Sequence, residues 1–441
     1  MDDRTRVAIV GGGPAGMFLG LLLARAGIAV TVLEKHADFL RDFRGDTVHS
    51  STLTLLDELG LGPAFAAIPQ RRITQVAAQL DSGTARIGDL SRLHGPHPHI
   101  ALVPQWDLLE LLADAAAREP GFRLLRNAEV TGLLRDGAST TADDGDSPTA
   151  DDGDSPGCGR VTGVVWRDRA GGARTGAEHT LGADLVVACD GRWSTVRDAA
   201  GLTPRAFGVP MDVWWFRIPR HEGDPDGGFG RASRGQFLIM VDRGEYWQCG
   251  YIIRKGADAK LRAEGLEAFR ARLAALEPWL ADRLGDVPPS FDDVKLLEVR
   301  LDRLERWHLP GLLVIGDAAH AMSPVGGVGI NLAIQDAVAA ARILEPALQR
   351  GGPVPESALQ SVQRRRWWPT VLVQGFQQGA HRGVVGRILD EDAFAGPAAP
   401  PDNELPLPLR LLERFPALQA VPARFIGVGP LPEHAPRWAR R

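Results

Sequence analysis

A glycine pattern near the start of the chain restricts its fold more than any other feature. Residues 11–16 read GGGPAG, the pattern G-x-G-x-x-G, between an apolar run at Val7–Val10 and a stretch with helical character. Glu34 ends the next apolar run, Ile28–Leu33. The first glycine permits a tight turn, the second lets a pyrophosphate approach the backbone, and the third lets the helix pack on the strand. This β-α-β unit with its terminal carboxylate predicts a Rossmann-like domain that binds an ADP-containing dinucleotide.

A second glycine-rich stretch, GDAAHAMSPVGGVGIN at residues 316–331, follows the apolar run Leu312–Ile315. That strand brings Asp317 to the carboxyl edge of the sheet, where open α/β folds bind their ligands. The glycines let backbone N–H groups approach a flat polar ligand, and the next helix directs its positive N-terminal end to the same place. A third motif, Asp190-Gly191, ends another buried run; alone it is typical of an ordinary turn.

The pattern of apolar runs changes twice along the chain. Between residues 208 and 300 the runs are typical of antiparallel strands with one helix near Leu261–Leu276, whereas parallel-type runs occur before and after this region. We therefore predict an α/β fold in which the dinucleotide-binding domain is interrupted by an inserted antiparallel sheet and followed by C-terminal helices. The predicted segments are 1–74, 101–207 and 301–350 for the dinucleotide-binding domain, 75–100 (a hairpin) and 208–300 for the inserted substrate domain, and 351–441 for a helical and irregular C-terminal segment.

Charge and composition exclude several kinds of partner. The net charge of −5 arises from an octamer, TADDGDSP, that occurs twice in residues 141–156, and the rest of the chain is near neutral, so no nucleic-acid partner is expected. We predict a disordered acidic loop over 137–159. Three cysteines share no metal-ligand spacing, which indicates free thiols, no metal site and a cytoplasmic location. No run of 18 apolar residues and no signal peptide occur, so no membrane span is expected.

The three motifs, in this order and at this spacing, resemble those of the flavoprotein aromatic hydroxylases, the single-component FAD monooxygenases of the para-hydroxybenzoate hydroxylase type. The resemblance covers about residues 5–345 and extends more loosely over helices to about residue 390. It implies FAD, NAD(P)H and O₂ as cofactors and co-substrates, a flavin C4a-hydroperoxide as the oxygen donor, and hydroxylation of a phenolic or polycyclic aromatic substrate. A monomer or a homodimer is expected.

The resemblance also implies roles for single residues. Glu34 would hold the adenosine ribose, Asp317 the ribityl chain, and Asp190-Gly191 both FAD and the nicotinamide donor. Val328 stands where the family often has Gln, and we interpret His320 as a loop or entrance histidine rather than a base. The full set expected to bind FAD is Gly11, Gly13, Pro14, Ala15, Gly16, Glu34, Lys35, Arg44, Gln105, Asp190, Gly191, Gly316, Asp317, Pro324, Gly327, Val328, Gly329, Ile330 and Asn331.

Residues that contact the substrate are harder to choose, because the flavin carries the hard chemistry and no protein nucleophile is required. We expect the substrate between the flavin and the inserted sheet, lined by Val213–Ile218 and Glu245–Ile253, but alternation leaves two possible faces of these strands. The candidates for substrate contact are Trp215, Phe237, Trp247 and Tyr251. The candidates for a catalytic role are Tyr246, Tyr251, His49 and Arg217, of which the first two are the only tyrosines in the chain.

Other functions of the same fold remain as alternatives. A flavin-dependent halogenase carries Trp-x-Trp-x-Ile-Pro, and residues 214–219 read WWFRIP, but the catalytic lysine that a halogenase needs is absent, since no Lys occurs from residue 36 to 254. A flavin saturase keeps the same motifs, and Baeyer–Villiger insertion uses the same intermediate as hydroxylation. A flavin-binding sensor or scaffold is disfavoured by three intact motifs.

Overall fold

The computed structural model describes residues 4–40, 47–81, 83–136, 159–170, 173–225, 228–233, 235–285, 287–389 and 407–441. The predictions for Arg44 and for the duplicated acidic segment 141–156 lie outside the described residues.

The described residues form two large sheets, two small ones and helices that cover them. The strands are β1 (Arg4–Val10), β2 (Val30–Glu34), β3 (Thr47–Val48), β4 (Arg71–Ile73), β5 (Gln75–Leu80), β6 (Gly83–Asp89), β7 (Ile100–Leu102), β8 (Phe122–Arg126), β9 (Ala128–Arg135), β10 (Val161–Ala170), β11 (Ala173–Ala188), β12 (Arg205–Ala206), β13 (Met211–Pro219), β14 (Gly228–Ser233), β15 (Gln236–Asp242), β16 (Tyr246–Arg254), β17 (Lys295–Leu297), β18 (Asp302–Arg303), β19 (His308–Leu309) and β20 (Leu312–Val314). The helices are α1 (Pro14–Arg25), α2 (Ser50–Glu58), α3 (Gly62–Ala66), α4 (Gln105–Ala117), α5 (Thr195–Ala199), α6 (Asp258–Ala263), α7 (Leu266–Leu276), α8 (Gly329–Arg350), α9 (Glu356–Ala380), α10 (Gly386–Leu389), α11 (Leu407–Arg414) and α12 (Ala420–Gly427).

The first large sheet has a parallel centre in the order β20-β11-β1-β2-β8. Its central strands are apolar on both faces because helices α1, α4 and α8 cover one face, while β9, β10 and α5 help to cover the other. Strand β11 is 16 residues long, so its second half pairs with β1 while its first half pairs antiparallel with β10. The Rossmann-like prediction is confirmed, and the carboxyl ends of β1, β11 and β20 meet at one edge.

The second large sheet has the order β17-β13-β16-β15-β14-β5-β6. Its neighbours pair antiparallel as expected, with one exception at β14 and β5, which run parallel. One face packs on α7 through a core that contains Trp214, Phe216 and Phe269, and the opposite face looks towards the end of α9. The inserted sheet of the predicted fold class is confirmed.

The helix expected over Leu261–Leu276 is interrupted. Helix α6 ends at Ala263 and α7 begins at Leu266, because Gly265 takes a φ of 91° that a right-handed helix does not allow. The apolar periodicity spans both pieces, so the single-helix prediction was wrong only at this glycine.

Helix α8 and the turn before it, Val325–Arg350, are long and apolar enough to cross a membrane. In the fold, 72% of the apolar window of this helix is buried, as expected for the core helix that packs beside α1. Helix α9 crosses behind α8, continues as a π-helical turn at His381–Val385 and ends in α10.

Candidate active site

A cavity of about 1860 Å³ runs from the carboxyl edge of the parallel sheet to the second sheet and the end of α9. All three sequence motifs contribute to its wall. The FAD-binding candidates that line it are Gly11, Gly13, Pro14, Ala15, Glu34, Lys35, Gln105, Asp190, Gly191, Asp317, Pro324, Gly327, Gly329 and Ile330. Four further candidates, Gly16, Gly316, Val328 and Asn331, lie behind this wall.

Of the three motif glycines in the first loop, Gly11 and Gly16 have no room for a side chain, and Gly13 faces open space. A Cβ at Gly11, where φ is 102°, would lie 2.5 Å from the carbonyl oxygen of Cys189, and a Cβ at Gly16 would overlap the carbonyl oxygen of Gly11. No atom lies within 4 Å of the position that a Cβ would take at Gly13. Gly13 caps helix α1, so the free N–H groups at the start of that helix adjoin this open space. An anionic diphosphate fits such a place.

Glu34 is buried at the end of β2 and lines the cavity. Its Oε2 accepts a hydrogen bond from the backbone N–H of Gly12 at 2.9 Å, and its Oε1 accepts one from His36 at 3.0 Å. The carboxylate therefore fixes the glycine loop as well as offering oxygen to a ligand. The first of these two tasks was not predicted from the sequence.

Asp190 has a capping role that the sequence did not reveal. Its Oδ1 accepts a hydrogen bond from Ser194 Oγ at 2.5 Å and its Oδ2 accepts one from the N–H of Val196 at 3.1 Å, so the carboxyl caps helix α5. Burial raises the pKa of Asp190. Gly191 takes a φ of 83° and lets the chain turn away along the cavity wall.

The turn that carries Asp317 is held by a buried polar network. Asp336, on α8, accepts hydrogen bonds from the N–H of Gly316 at 3.1 Å, from His320 Nε2 at 2.6 Å and from Arg366 Nε at 2.9 Å. His320 is 1% exposed, so it lies in the interior and not at an entrance as we expected. It anchors the motif, and the expectation that it is no base remains a prediction.

The loop at Pro324 is held from the opposite side by α9. Gln377 Nε2 donates to the carbonyl oxygens of Ser323 and Val325 at 2.8 and 2.9 Å, and Gln377 Oε1 accepts from the N–H of Ser323 at 3.1 Å. His381 Nε2 lies 2.8 Å from Ser323 Oγ, and burial lowers the pKa of His381. Helix α9 thus fixes the backbone beside Pro324.

These contacts of α9 were missed in the sequence, although a signal existed. Polar residues recur there at helical spacing, and each is buried in the structure. They are Arg366, Thr370, Gln374, Gln377 and His381. A buried polar stripe on one helix face indicates partners in the fold. Here Gln377 and His381 bind the Pro324 loop directly, and Arg366 reaches the Gly-Asp turn through Asp336. Gln374 Nε2 donates to the carbonyl oxygen of Asp302 at 2.7 Å.

The second sheet contributes an apolar wall. Trp215 and Phe237, two of the four candidates for substrate contact, line the cavity, and their contact with a substrate remains a prediction. Trp247 and Tyr251 do not line it, because they point to the opposite face, where Trp247 Nε1 donates to Asp224 Oδ2 at 2.9 Å and Tyr251 Oη to Gln236 Oε1 at 3.1 Å. That part of the prediction was wrong: both faces of these strands are apolar, so alternation did not identify the cavity side.

The catalytic candidates also lie away from the cavity wall. Arg217 packs on the ring of Tyr246, 4.7 Å from its centroid, beyond the end of the cavity-lining residues. His49 is buried, with Nδ1 2.7 Å from the carbonyl oxygen of Ile426, and burial lowers its pKa. His49 lies beside Gly327. A Cβ built on Gly327 would lie 2.9 Å from Thr47 Oγ1, so there is little room for a side chain at this position. None of the four predicted catalytic side chains lines the cavity.

Comparisons with known proteins agree with this architecture. A family model described as "FAD binding domain" matches residues 4–151 and 161–367. A 6-methylpretetramide 4-monooxygenase of Streptomyces rimosus is 34% identical over 364 residues, which cover 82% of this chain and 80% of that protein.

A 12-dehydrotetracycline 5-monooxygenase/anhydrotetracycline 6-monooxygenase of Streptomyces rimosus is 28% identical over 76% of this chain, and the matched region spans only 61% of that longer relative. Among solved structures, PqsL of Pseudomonas aeruginosa in complex with 2-aminobenzoylacetate has a TM-score of 0.70 at 20% identity, with 89% of this chain and 99% of that chain covered. At that identity the likeness concerns the fold alone.

Proposed function

We propose that this protein hydroxylates a fused-ring phenol. The chain belongs to the FAD-binding-domain family of aromatic monooxygenases and is an FAD-dependent monooxygenase. The observation that carries the proposal is the size and division of the cavity. Pockets for one small ligand usually measure about 300–1,000 Å³, and this cavity of about 1860 Å³ joins a polar glycine-lined part to an apolar part. It therefore has room for FAD and for a second ligand beside it.

The polar part suits FAD. We assign the diphosphate to the open space at Gly13, the adenosine ribose to Glu34 and the ribityl chain to Asp317. Bound there, FAD would supply the hydride-transfer and dioxygen chemistry of the reaction. The residues of the protein hold FAD, orient the substrate beside it and shield both from water.

Helix α8 begins at Gly329, directly after the two glycines at 326 and 327 that take positive φ angles. Its first N–H groups and its positive end lie at the cavity wall, and its first turn contains no acidic residue. Such a helix end stabilises negative charge beside it. We assign it to the flavin ring, whose reduced form is anionic.

The apolar part excludes water from the reacting carbon. Val213, Ile239 and Ile252 come from the second sheet. Val385 comes from the π-helical turn after α9, and Ile388 comes from α10. A dry chamber protects the activated oxygen from wasteful loss as peroxide. The residues that supply this dryness belong to both the inserted sheet and the C-terminal helices, so we assign the substrate to the space between them.

The substrate class follows from the chamber and from the relatives. By their names, one relative acts on 6-methylpretetramide and another acts on 12-dehydrotetracycline and anhydrotetracycline. We propose a fused-ring phenol as the substrate of this chain. We place the enzyme in the cytoplasm, where NAD(P)H is supplied. The predicted segments 75–100 and 208–300 would form the substrate domain, and segments 1–74, 101–207 and 301–350 the FAD-binding domain.

The test is substrate-stimulated NAD(P)H oxidation by the purified yellow protein, with anhydrotetracycline, 1-naphthol and p-nitrophenol as probes. The expected result is faster NAD(P)H oxidation, oxygen uptake and a product heavier by one oxygen atom with at least one phenol. NAD(P)H oxidation with no dependence on any phenol would indicate an oxidase or a sensor. A product heavier by two hydrogen atoms, formed without oxygen, would indicate a saturase. Ketone insertion products would indicate the Baeyer–Villiger reaction.

A further inference from the structure

We propose that two glycines in the second sheet, Gly230 and Gly250, set the depth of the substrate chamber by giving space to two aromatic rings. This inference rests on the proposed function, and it identifies residues that decide which phenols fit. The two glycines occupy one row across the sheet, in which Trp215 pairs with Gly250, Gly250 with Ile239, and Ile239 with Gly230. All members of a row project to the same face of a sheet.

The indole ring of Trp215 takes the space that a side chain at residue 250 would occupy. A Cβ built on Gly250 would lie 3.0, 3.1 and 3.4 Å from three atoms of the benzo ring, Cζ3, Cη2 and Cε3. Gly250 is buried and its φ is not in the left-handed region, so backbone conformation does not demand glycine there. The ring of Trp215 does demand it.

Phe237 has the same relation to Gly230 on the next strand pair. A Cβ built on Gly230 would lie 2.9 Å from Cε2 and 3.4 Å from Cζ of the Phe237 ring. Phe237 itself pairs with Ala232 and Ile252, so its ring leans along the sheet towards Gly230. Two independent glycines therefore accommodate Trp215 and Phe237, the two aromatic side chains that the second sheet contributes to the cavity wall.

The surface formed in this way is apolar. The cavity-lining residues that pack beside the two rings, Val213, Ile239 and Ile252, have no polar side-chain atoms. A polar side chain borders them at Gln248, whose Oε1 accepts a hydrogen bond from Arg243 Nε at 2.9 Å. The one polar atom among the two rings, Trp215 Nε1, is buried without a hydrogen-bond partner among the described residues, so the cavity meets only carbon atoms of that ring. We call this surface, formed by Trp215, Phe237 and the apolar residues beside them, the floor of the chamber. The floor recognises a substrate by van der Waals and aromatic contact, which favours a flat and extended ring system.

Gly230 and Gly250 limit the size of the substrate, because a side chain at either position would push an aromatic ring into the chamber. A methyl group at residue 250 would move the Trp215 ring into the chamber by a few tenths of an ångström or more, since ordinary carbon contacts are about 3.5–4.0 Å. A tetracyclic phenol covers the whole floor and would meet the displaced ring, whereas a single-ring phenol can avoid it. Gly250 and Gly230 are therefore specificity-determining residues for fused-ring substrates.

The experiment measures dissociation constants of anhydrotetracycline and p-nitrophenol for the oxidised holoenzyme by flavin difference spectra. The variants are Gly250→Ala, Gly230→Ala and the double variant Gly250→Ala/Trp215→Leu. The matched control is Gly132→Ala, a mid-strand glycine in β9 whose Cβ would make only an ordinary contact, 3.8 Å from Val165 Cβ. FAD content and thermal melting accompany each titration.

The expected result for Gly250→Ala and Gly230→Ala is about tenfold weaker binding of anhydrotetracycline with less than about a twofold change for p-nitrophenol. Trp215→Leu should restore tetracycle binding in the Gly250→Ala protein to within about threefold, because the smaller side chain removes the clash. Gly132→Ala should bind both phenols as the wild type does. If Gly250→Ala does not fold, Gly230→Ala and the double variant carry the test: the first should bind the tetracycle about tenfold more weakly and the second should bind it to within about threefold of the wild type.

Equal changes for both phenols, unchanged tetracycle binding, or no rescue by Trp215→Leu would overturn the assignment. So would a wild-type holoenzyme that hydroxylates p-nitrophenol but does not bind anhydrotetracycline; that outcome leaves the proposed monooxygenase function intact. Failure of the proposed function looks different, because then no phenol of any size stimulates NAD(P)H oxidation.

Discussion

Arg192 Nη2 lies 3.2 Å from Asp317 Oδ2, and this ion pair joins the Asp-Gly motif to the Gly-Asp motif across the wall of the cavity. A second link runs beside it, where Arg197 Nη1 donates to the carbonyl oxygen of Ala318 at 3.2 Å. Arg192 and Asp317 are 125 residues apart in the sequence. The two motifs therefore act as one unit, in which Arg192 orients the carboxylate that we assign to the ribityl chain. Arg192 directly follows the motif expected to serve both FAD and the nicotinamide donor.

Asp317→Ala should yield largely colourless protein, because it removes both the proposed ribityl acceptor and the partner of Arg192. The measurement is the flavin absorbance per mole of protein after saturation with FAD and desalting. Asp317→Asn is the matched control, since it keeps one acceptor oxygen and should retain part of the flavin. Full-occupancy yellow Asp317→Ala protein would refute the ribityl role.

The sequence revealed the parallel sheet because its strands are short buried runs that end in glycine motifs, as at Val7–Val10 and Leu312–Ile315. It did not reveal which face of β13, β15 and β16 meets the cavity, because one face packs on α7 and the other on a ligand chamber, and both require apolar residues. Trp247 and Tyr251 were misplaced for this reason.

The sequence also did not predict which polar side chains contact one another in the fold. Asp336 and Arg366 lie on different helices, and no local pattern announces that their side chains meet under the Gly-Asp turn. The capping of α5 by Asp190 has no sequence signal of its own, because an Asp-Gly pair at a strand end suits both a turn and a ligand contact. Polar residues that recur on a helix face, as in α9, were the one signal available, and they indicated burial without naming a partner.

Arg366→Met should strongly destabilise the protein. Arg366 and Asp336 are 1% and 0% exposed, so the substitution leaves the buried carboxylate with only the hydrogen bonds from His320 Nε2 and the N–H of Gly316 among the contacts described above. Loss of one member of such a pair costs about 3–5 kcal/mol of unfolding free energy. Chemical denaturation monitored by circular dichroism measures it. Arg364→Met, an exposed position on the same helix, should change the unfolding free energy by less than about 0.5 kcal/mol; equal effects would contradict the network.

Acidification should weaken the protein through His49 and His381. Burial lowers the pKa of both from the ordinary value of 6.5, so the unfolded chain binds protons that the folded chain refuses. Their contribution is therefore complete above about pH 6.5 and is lost as the pH falls below it, by up to about 1.4 kcal/mol per pH unit for each residue. Melting temperatures between about pH 7.5 and 5.5 measure this loss.

His381→Gln should flatten that pH dependence, because the titrating group is removed while a hydrogen-bonding side chain remains near Ser323. His221→Gln, at an exposed position, should leave the slope as in the wild type. A slope that is the same in all three proteins would assign the acid sensitivity to other groups.

Deletion of residues 141–156, the duplicated octamer, should leave activity and melting temperature nearly unchanged. Val161 pairs directly with Arg135, so the strands that flank the segment are already adjacent and a short connection can join them. Loop-closure entropy changes slowly with length, by about 0.6 kcal/mol for each doubling. A large loss of melting temperature would mean that the octamers contribute to the fold, and a loss of activity alone would mean that they contribute to the site.

Gly13→Ala and Gly16→Ala should separate cofactor binding from folding within one motif. The Gly13 methyl group meets no atom within 4 Å, and residue 13 has a φ of −74°, so the apoprotein should keep its unfolding free energy to within about 0.5 kcal/mol. That methyl group would nevertheless enter the space assigned to the diphosphate and weaken FAD binding by about tenfold or more. Gly16→Ala should instead lower the melting temperature of the apoprotein, because its methyl group overlaps the carbonyl oxygen of Gly11. Isothermal titration with FAD and thermal melting of the apoproteins provide both readouts, and undisturbed FAD affinity in Gly13→Ala would place the diphosphate elsewhere.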